Sequence, residues 1–426
     1  MSIYFNPKKR GEVINLKVLK LGWEFPPFFA GGAGIVCNEL TKALNEKNVE
    51  VLFVMPHGPE KEINEINQRN SMLKILTTDM YDTEKIRIET VETLLHAYIG
   101  WEEYKEKYDF IKSTKKQKNP YGKNLAEEIE RFSQLILKIV ENEDFDVIHA
   151  HDWVTFLAGI NLKKKTGKPL IVHVHITEFD KSGGMYADPF IYGIEKAGMD
   201  QADRIIAVSN LVKDRCIHNY YQDPSKIRVI HNAATPMKEL KEEIYEIKGN
   251  DKIVLFAGRI TLQKGPEYFV EAARLVLQHR QDVKFIVAGT GDLLPEVIKD
   301  VESKNMREKF IFTGFYTRNE AEKIFGMADV FVMPSVSEPF GVVPYEAQMK
   351  KTPCIISKQS GISEVLNHAL KVDFWDTREL ANKMLGLLDY EDLHKEIKDK
   401  GYDEAKNASW DKPATKCIEV YREVAK

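Results

Sequence analysis

Short runs of β-branched and aliphatic residues recur along this chain, and most are followed by a polar turn and then by apolar residues spaced three to four apart. The first unit predicts a strand from Leu16 to Trp23, a glycine-rich turn from Phe28 to Gly34 and a helix from Ile35 to Asn48. That helix carries Val36, Leu40, Ala43 and Leu44 on one face, and a second strand is expected from Val49 to Met55. The rhythm lapses between His57 and Gly122, where only Trp101, Tyr104 and Tyr108 keep a helical spacing. It resumes with an amphipathic helix from Leu125 to Val140, a strand from Asp146 to Ala150 and a helix from Val154 to Lys165. Strands from Pro169 to His175, Ala202 to Ser209 and Ile227 to His231 complete this half, with a helix from Asn210 to Tyr221 between the last two.

A polar stretch from Ala233 to Asn250, rich in Glu and Lys and containing Pro236, then interrupts the pattern and predicts a domain boundary. Beyond it the alternation restarts, with strands expected near 253–257, 283–288, 310–313, 329–333 and 353–357 and helices between them. Helices run on to Ala408, and a last one spans Lys412 to Ala425. Strands alternating with helices build parallel sheets covered on both faces, so the chain reads as α/β with two doubly wound domains. The division expected is residues 1–232, a linker at 233–250, residues 251–408 and a terminal helix within 409–426.

The 426 residues give room for two or three full cores, and 43% hydrophobic with 10% aromatic residues is a globular composition. A net charge of −4 provides no electrostatic footprint for nucleic acid. Cys37, Cys216, Cys354 and Cys417 are scattered, which suggests neither a disulfide framework nor a cysteine metal site and favours a reducing compartment. With a charged N-terminus and no apolar run of about 18 residues, the expectation is a cytoplasmic protein without a transmembrane segment.

Candidate chemistry concentrates at Ser337 to Ala347. A buried strand ends at Met333, Pro334 and Pro339 forbid its continuation, and Gly341 lets backbone approach a ligand. The helix expected from Val342 offers free N–H groups at its first turn, a ready anion site. Glu338 and Glu346 lie eight apart, one on the turn and one two turns into the helix; each also reads simply as a surface or helix-terminal acid. Arg259 and Lys264 follow the first strand of the second half, where two fixed cations can stabilise a departing diphosphate; each is equally a common surface charge. Gly31, Gly32 and Gly34 form a loop lacking the full dinucleotide fingerprint. Two His-x-His pairs, His149/His151 and His173/His175, sit at strand ends and invite a metal reading, but no further ligand spacing completes a site. Asp144-Phe145-Asp146 precedes a strand, the wrong end for chemistry in an open parallel sheet. The aromatic stripe at 101–108 reads as core or as a sugar-stacking platform. The lysines at 112, 115, 116, 118 and 123 read as a solvated loop.

Taken in order, His149-Ala-His-Asp-Trp153, Val174-His-Ile-Thr-Glu-Phe-Asp180, Gly258-Arg-x4-Lys264-Gly265 and Glu338-x7-Glu346 resemble the retaining two-domain glycosyltransferases of GT-B architecture, specifically their glycogen and starch synthase-like group. The resemblance runs from about Leu16 to the C-terminus. It implies two Rossmann-like domains facing across a cleft, with the last helix crossing back to the first. It implies that Gly31 and Gly32 lie against the donor diphosphate, with Arg259 and Lys264 on the same phosphates. Glu338 would bond the transferred sugar, beside Gly341 and Val342. Glu346 would bind the ribose, and Thr313, Gly314 and Phe315 would border the base. His175 matches the active-site histidine, and Asp152 with Trp153 lie where sugar is contacted. Phe29, where bacterial ADP-glucose synthases carry lysine, and Phe340, where they carry cysteine, turn the expected donor toward UDP-glucose. The activity implied is transfer of glucose to a glucan or other sugar acceptor with the nucleotide sugar as substrate, no cofactor and no metal. Alternatives are transfer to a lipid or small molecule as in mannosyl- or sucrose-phosphate-type relatives, a nucleotide-sugar epimerase, or a non-enzymatic sensor.

Overall fold

The protein is described from a computed structural model, which covers residues 16–22, 32–56, 86–91, 101–114, 123–235 and 251–425. The glycine loop up to Gly31, the linker from Pro236 onward and the lysines at 115, 116 and 118 lie outside the described residues.

Seven strands form the first sheet: β1 (Lys17–Leu21), β2 (Glu50–Pro56), β3 (Ile86–Val91), β4 (Val147–His151), β5 (Leu170–Val174), β6 (Arg204–Ala207) and β7 (Ile227–Val229). They pair in parallel in the order β3-β2-β1-β4-β5-β6-β7. Six more form the second: β8 (Lys252–Ala257), β9 (Val283–Ala288), β10 (Phe310–Gly314), β11 (Val330–Met333), β12 (Cys354–Ser357) and β13 (Leu370–Val372). Their order is β10-β9-β8-β11-β12-β13, again all parallel. Helices cover both faces, which explains why β4, β5 and β11 are buried at every residue; β11 is an unbroken apolar run, while His149, His151 and His173 interrupt β4 and β5. In each sheet the strand order reverses beside the first strand, between β1 and β4 and between β8 and β11. Ligands of doubly wound sheets bind at such switch points, outside the strand C-termini.

Several boundaries differ from the sequence reading. The first helix is Gly32–Glu46, so Gly32 and Gly34 are helical rather than turn residues. β3 falls in the stretch expected to be irregular and takes an outer position in the sheet. The aromatic stripe lies on the helix Trp101–Thr114 but does not act as one surface. Tyr104 is core and bonds the buried Glu128 (3.4 Å), while Trp101 is exposed against Phe190. Asp146 accepts the Lys17 N–H (2.8 Å) and fixes the entry of β1.

The last helix, Asp411–Val424, packs on the helix Gly32–Glu46 of the first domain. Trp410, Ala414, Cys417 and Tyr421 share one core with Val36, Leu40, Val18 and Val51. Glu423 adds ion pairs to Arg204 and Arg228, both 2.8 Å. The two segments that cross between domains touch each other, Ala234 N–H donating to the Ala408 carbonyl (3.0 Å).

Candidate active site

At the switch point of the second sheet, β8 is followed by Gly258-Arg259 and β11 runs into Pro334 to Gly341. Lys264 lies on a single 3-10 turn, Leu262–Lys264, closed by Gly265 at φ 64°. A Cβ at that glycine would sit 2.4 Å from the Pro334 carbonyl oxygen, so glycine there lets the Lys264 turn lie directly on the β11 exit. The result is an ion pair between the Lys264 ammonium and Glu338, whose residue is only 6% exposed. Ser335 Oγ also donates to the Glu338 carboxylate (3.4 Å). Glu338 is further fixed through its backbone, accepting from Gly361 N–H (2.9 Å) and donating to Gln359 (3.0 Å). Gly341, at φ 87°, passes so close that a Cβ would meet Glu338 Cγ at 2.7 Å. The half-buried Arg259 donates to Gln263 (3.5 Å), and the Gln263 carbonyl accepts from Val336 N–H (2.9 Å), tying the cation segment to the acid segment.

The helix after this corner is Val343–Met349, and Glu346 lies in its first turn rather than two turns in, since it stands only three residues after Val343. Val342 precedes it. Burial and the Glu346 carboxylate push the Tyr316 hydroxyl above its ordinary range, which puts the β10 exit beside Glu346. There Thr313 is exposed and Phe315 strongly so (74%), a free aromatic face.

In the first domain the switch point is occupied by Asp152 and His175. Asp152 adopts φ 56° and ψ 171°, a region costly for any residue with a Cβ. Its carboxylate does not cap the following helix; it accepts from the N–H groups of His175 (2.7 Å) and Ile176 (3.3 Å), holding the β5 exit loop. Trp153, expected at a sugar contact, is 1% exposed and belongs to the core under the Lys181 ammonium (5.9 Å to the ring centroid), because its position opens a helix that turns inward. Of the glycines, Gly32 begins the helix Gly32–Glu46 and Gly31 lies outside the described residues.

His149, His151, His173 and His175 form one buried group, with His149 Nδ1 2.7 Å from Tyr421 Oη, His149 Nε2 3.2 Å from His173 Nδ1 and His151 Nδ1 2.7 Å from His175 Nε2. Burial is the main cause that drives all four imidazoles down, His175 to about 3, with the buried Lys20 as a further cationic neighbour. Cys37, His151 and His175, or His149, His151 and His173, are close enough to hold a metal ion. Against that stand the neighbouring Lys20 and the fact that at least one nitrogen of every ring is already engaged by another histidine.

Sequence reading missed the residues that join the two domains. Asp180 is fully buried. One carboxylate oxygen accepts from Thr177 N–H (2.9 Å) and Oγ1 (2.7 Å), and the other meets Arg215 (3.0 Å) and, across the domain boundary, Ser337 Oγ (2.8 Å). Arg215 also donates to Ser337 Oγ (2.8 Å). Nearby, Ser209 Oγ donates to the Pro339 carbonyl (2.6 Å), and Glu364 accepts from Asn210 N–H (2.9 Å), Leu211 N–H (3.0 Å) and His231 (2.7 Å). The loop that follows His175 is thus tied to the residue before Glu338. The only local signal was the capping pattern Thr177-x-x-Asp180.

Beneath this loop Glu195 is buried against Tyr220 and accepts from Glu178 N–H (3.0 Å). Burial pushes its carboxyl up to about 8. The fold therefore holds a proton that the unfolded chain releases near 4.5, and stability falls as pH rises through that window, by about 1.4 kcal/mol per pH unit. Glu195→Gln is expected to remove this slope, giving a variant that outlasts the wild type at pH 8 more than at pH 5. Parallel melting series at the two pH values check it, and identical pH slopes would refute it.

The profile of Glycosyl transferases group 1 matches residues 237–404, and that of Glycosyltransferase Family 4 matches residues 30–236. An uncharacterised glycosyltransferase of Methanocaldococcus jannaschii is 29% identical over 369 residues, 83% of each chain. The D-inositol 3-phosphate glycosyltransferase of Pseudarthrobacter chlorophenolicus is 26% identical over 413 residues, covering 92% of this chain and 90% of that protein. The Anabaena HepE structure with UDP and glucose superposes with a TM-score of 0.70 at 16% identity, over 96% of this chain and all of that one (100%). That likeness concerns the fold.

Proposed function

Since the chain belongs to the group 1 glycosyltransferases and is a hexosyltransferase, we propose that it moves glucose from UDP-glucose to the hydroxyl of a glucan or other sugar acceptor, with retention of anomeric configuration. The observation that carries the reading is the Lys264–Glu338 pair at the second switch point, joined through Ser337 and Asp180 to the His175 loop at the first. In this proposal Glu338 holds hydroxyls of the transferred sugar, and Arg259 and Lys264 take the growing charge on the diphosphate. Glu346 receives the ribose and Phe315 covers the base. Val342, Gly341 and the glycines at 31 and 32 line the phosphates and sugar. Phe340, where bacterial ADP-glucose synthases carry cysteine, supports this choice of donor.

The acceptor has a second reading. Because the D-inositol 3-phosphate glycosyltransferase aligns over nearly the full chain, a phosphorylated small-molecule acceptor stands beside the glucan. A panel of nucleotide sugars, each offered maltooligosaccharides, hexose phosphates and inositol phosphate and read by nucleotide release and product mass, separates the two. Release of nucleotide with no donor and acceptor pair would sink the proposal.

Two outcomes are expected of the productive pair. The product is α-linked from an α-linked donor, since none of the carboxylates has the role of an attacking base on the far face of the sugar; a β-linked product by NMR rules out retention. Turnover also survives EDTA, because Arg259 and Lys264 supply the positive charge. Loss restored by one divalent ion would transfer that role to a metal.

A further inference from the structure

The four buried histidines supply more hydrogen-bonding nitrogens than the chemistry proposed above uses, and their connections restrict where protons can sit. A neutral imidazole carries one N–H and one lone pair. His151 and His173 are fully buried, and the Nε2 atom of each has no hydrogen-bond partner among the described residues. A buried N–H left without an acceptor is among the rarest defects in folded proteins, whereas an unused acceptor is tolerated more often. With no partner among the described residues, each of these Nε2 atoms is assigned as the bare one, with the proton on Nδ1.

The rest of the chain follows. His173 Nδ1–H donates to His149 Nε2 (3.2 Å), so His149 carries its proton on Nδ1 and donates to Tyr421 Oη (2.7 Å). His151 Nδ1–H donates to His175 Nε2 (2.7 Å), with Cys37 Sγ 3.7 Å away as a weak second acceptor. His175 then bears its own proton on Nδ1. It is the least buried of the four, at 8% against 1% or less for the others, and stands on the Asp152-held loop at the first switch point.

We propose that His151 is a positioning residue which fixes the Nδ1–H tautomer of His175, so that His175 offers the cleft a hydrogen-bond donor and no base. The inference rests on the reading of this cleft as the transfer site. Its consequence is that His175 bonds an oxygen of the bound donor as a neutral donor, while the acceptor proton goes elsewhere. The groups around the cluster agree with neutrality: Lys20 is a buried cation whose ammonium donates to the Cys37 carbonyl (3.2 Å) and Thr41 Oγ1 (2.9 Å), and the Asp152 carboxylate accepts from backbone.

Multiple-bond 1H–15N correlation of the histidine-labelled, full-length protein reads the tautomer without any substrate. The expected result is an Nδ1–H pattern for His175, assigned by its loss in His175→Gln, that holds from pH 6 to 8. An Nε2–H pattern, or protonation in that range, overturns the proposal even if the enzyme is active; an inactive enzyme with the expected pattern would instead fault the functional reading. Variants give the second test. His151→Leu should release the tautomer and lower turnover at least tenfold with little change in donor KM, and His151→Asn, which places an amide donor near the Nδ1 position, should restore the Nδ1–H pattern and most of the loss. If His151→Leu melts like the wild type and keeps both tautomer and turnover, His151 plays no positioning part.

Discussion

Replacing Arg259 or Lys264 by alanine is expected to lower turnover by about 10²-fold or more, with a smaller effect on donor affinity. Both cations sit on one short segment braced by the buried Gln263 against the β11 exit, so their charge is in place before the bond from the sugar to the diphosphate begins to break. Such preorganised charge favours the transition state over the bound donor, because negative charge on the leaving group is still growing. Lys264 carries a second duty, since its removal leaves Glu338 buried without its cation. The double variant Lys264→Ala/Glu338→Gln separates the two. It should recover stability lost in Lys264→Ala while turnover stays low. Single-turnover kinetics at saturating donor give the decisive number, and near wild-type rates for either alanine variant would remove that residue from the chemistry.

Asp180→Ala is expected to cost about 3–5 kcal/mol of stability, because it leaves the Arg215 guanidinium, itself largely buried, without its carboxylate. It also removes the group that accepts from Thr177 and Ser337, freeing the His175 loop on one side and the segment before Glu338 on the other. Ser337→Ala is the milder control. It deletes two interdomain hydrogen bonds, Ser337 Oγ to Asp180 and Arg215 to Ser337 Oγ, each worth about 1 kcal/mol, so its melting point should fall less than that of Asp180→Ala while its turnover falls. Urea titration beside kinetics checks the pair. If Asp180→Ala unfolds at wild-type urea concentrations, the buried pair does not hold this loop. If Ser337→Ala keeps full turnover, the tie between domains is incidental to the reaction.

The two parallel sheets were legible because fully covered strands must be apolar on both faces, which leaves runs such as Phe285 to Ala288 and Val330 to Met333 that little else explains. The acid corner was legible for a related reason: two prolines and a glycine after a buried strand force a loop at the end of the sheet where ligands bind. Local chemistry misled where a residue had two uses. Gly32 and Gly34 belong to a helix although glycine signals turns, and the helix Pro189–Gln201, which contains Gly193 and Gly198, went unread for want of an unbroken apolar stripe. Trp153, expected where sugar is contacted, lies in the core. Asp180 and Ser337 meet across 157 positions, and no periodicity in either segment encodes a partner at that distance.

The crossing of the last helix sets the order in which the chain can fold on a ribosome. Trp410, Ala414, Cys417 and Tyr421 fill a core whose other wall, Val18, Val36, Leu40 and Val51, is synthesised hundreds of residues earlier. His149 likewise waits for the Tyr421 hydroxyl. The second sheet, continuous from Lys252 to Val372, needs nothing from the first and can close as soon as its own helices emerge. The first-made domain is therefore the last to be completed, with one apolar face uncovered throughout elongation, and a nascent chain arrested before Asp411 should carry a finished second domain behind an unfinished first.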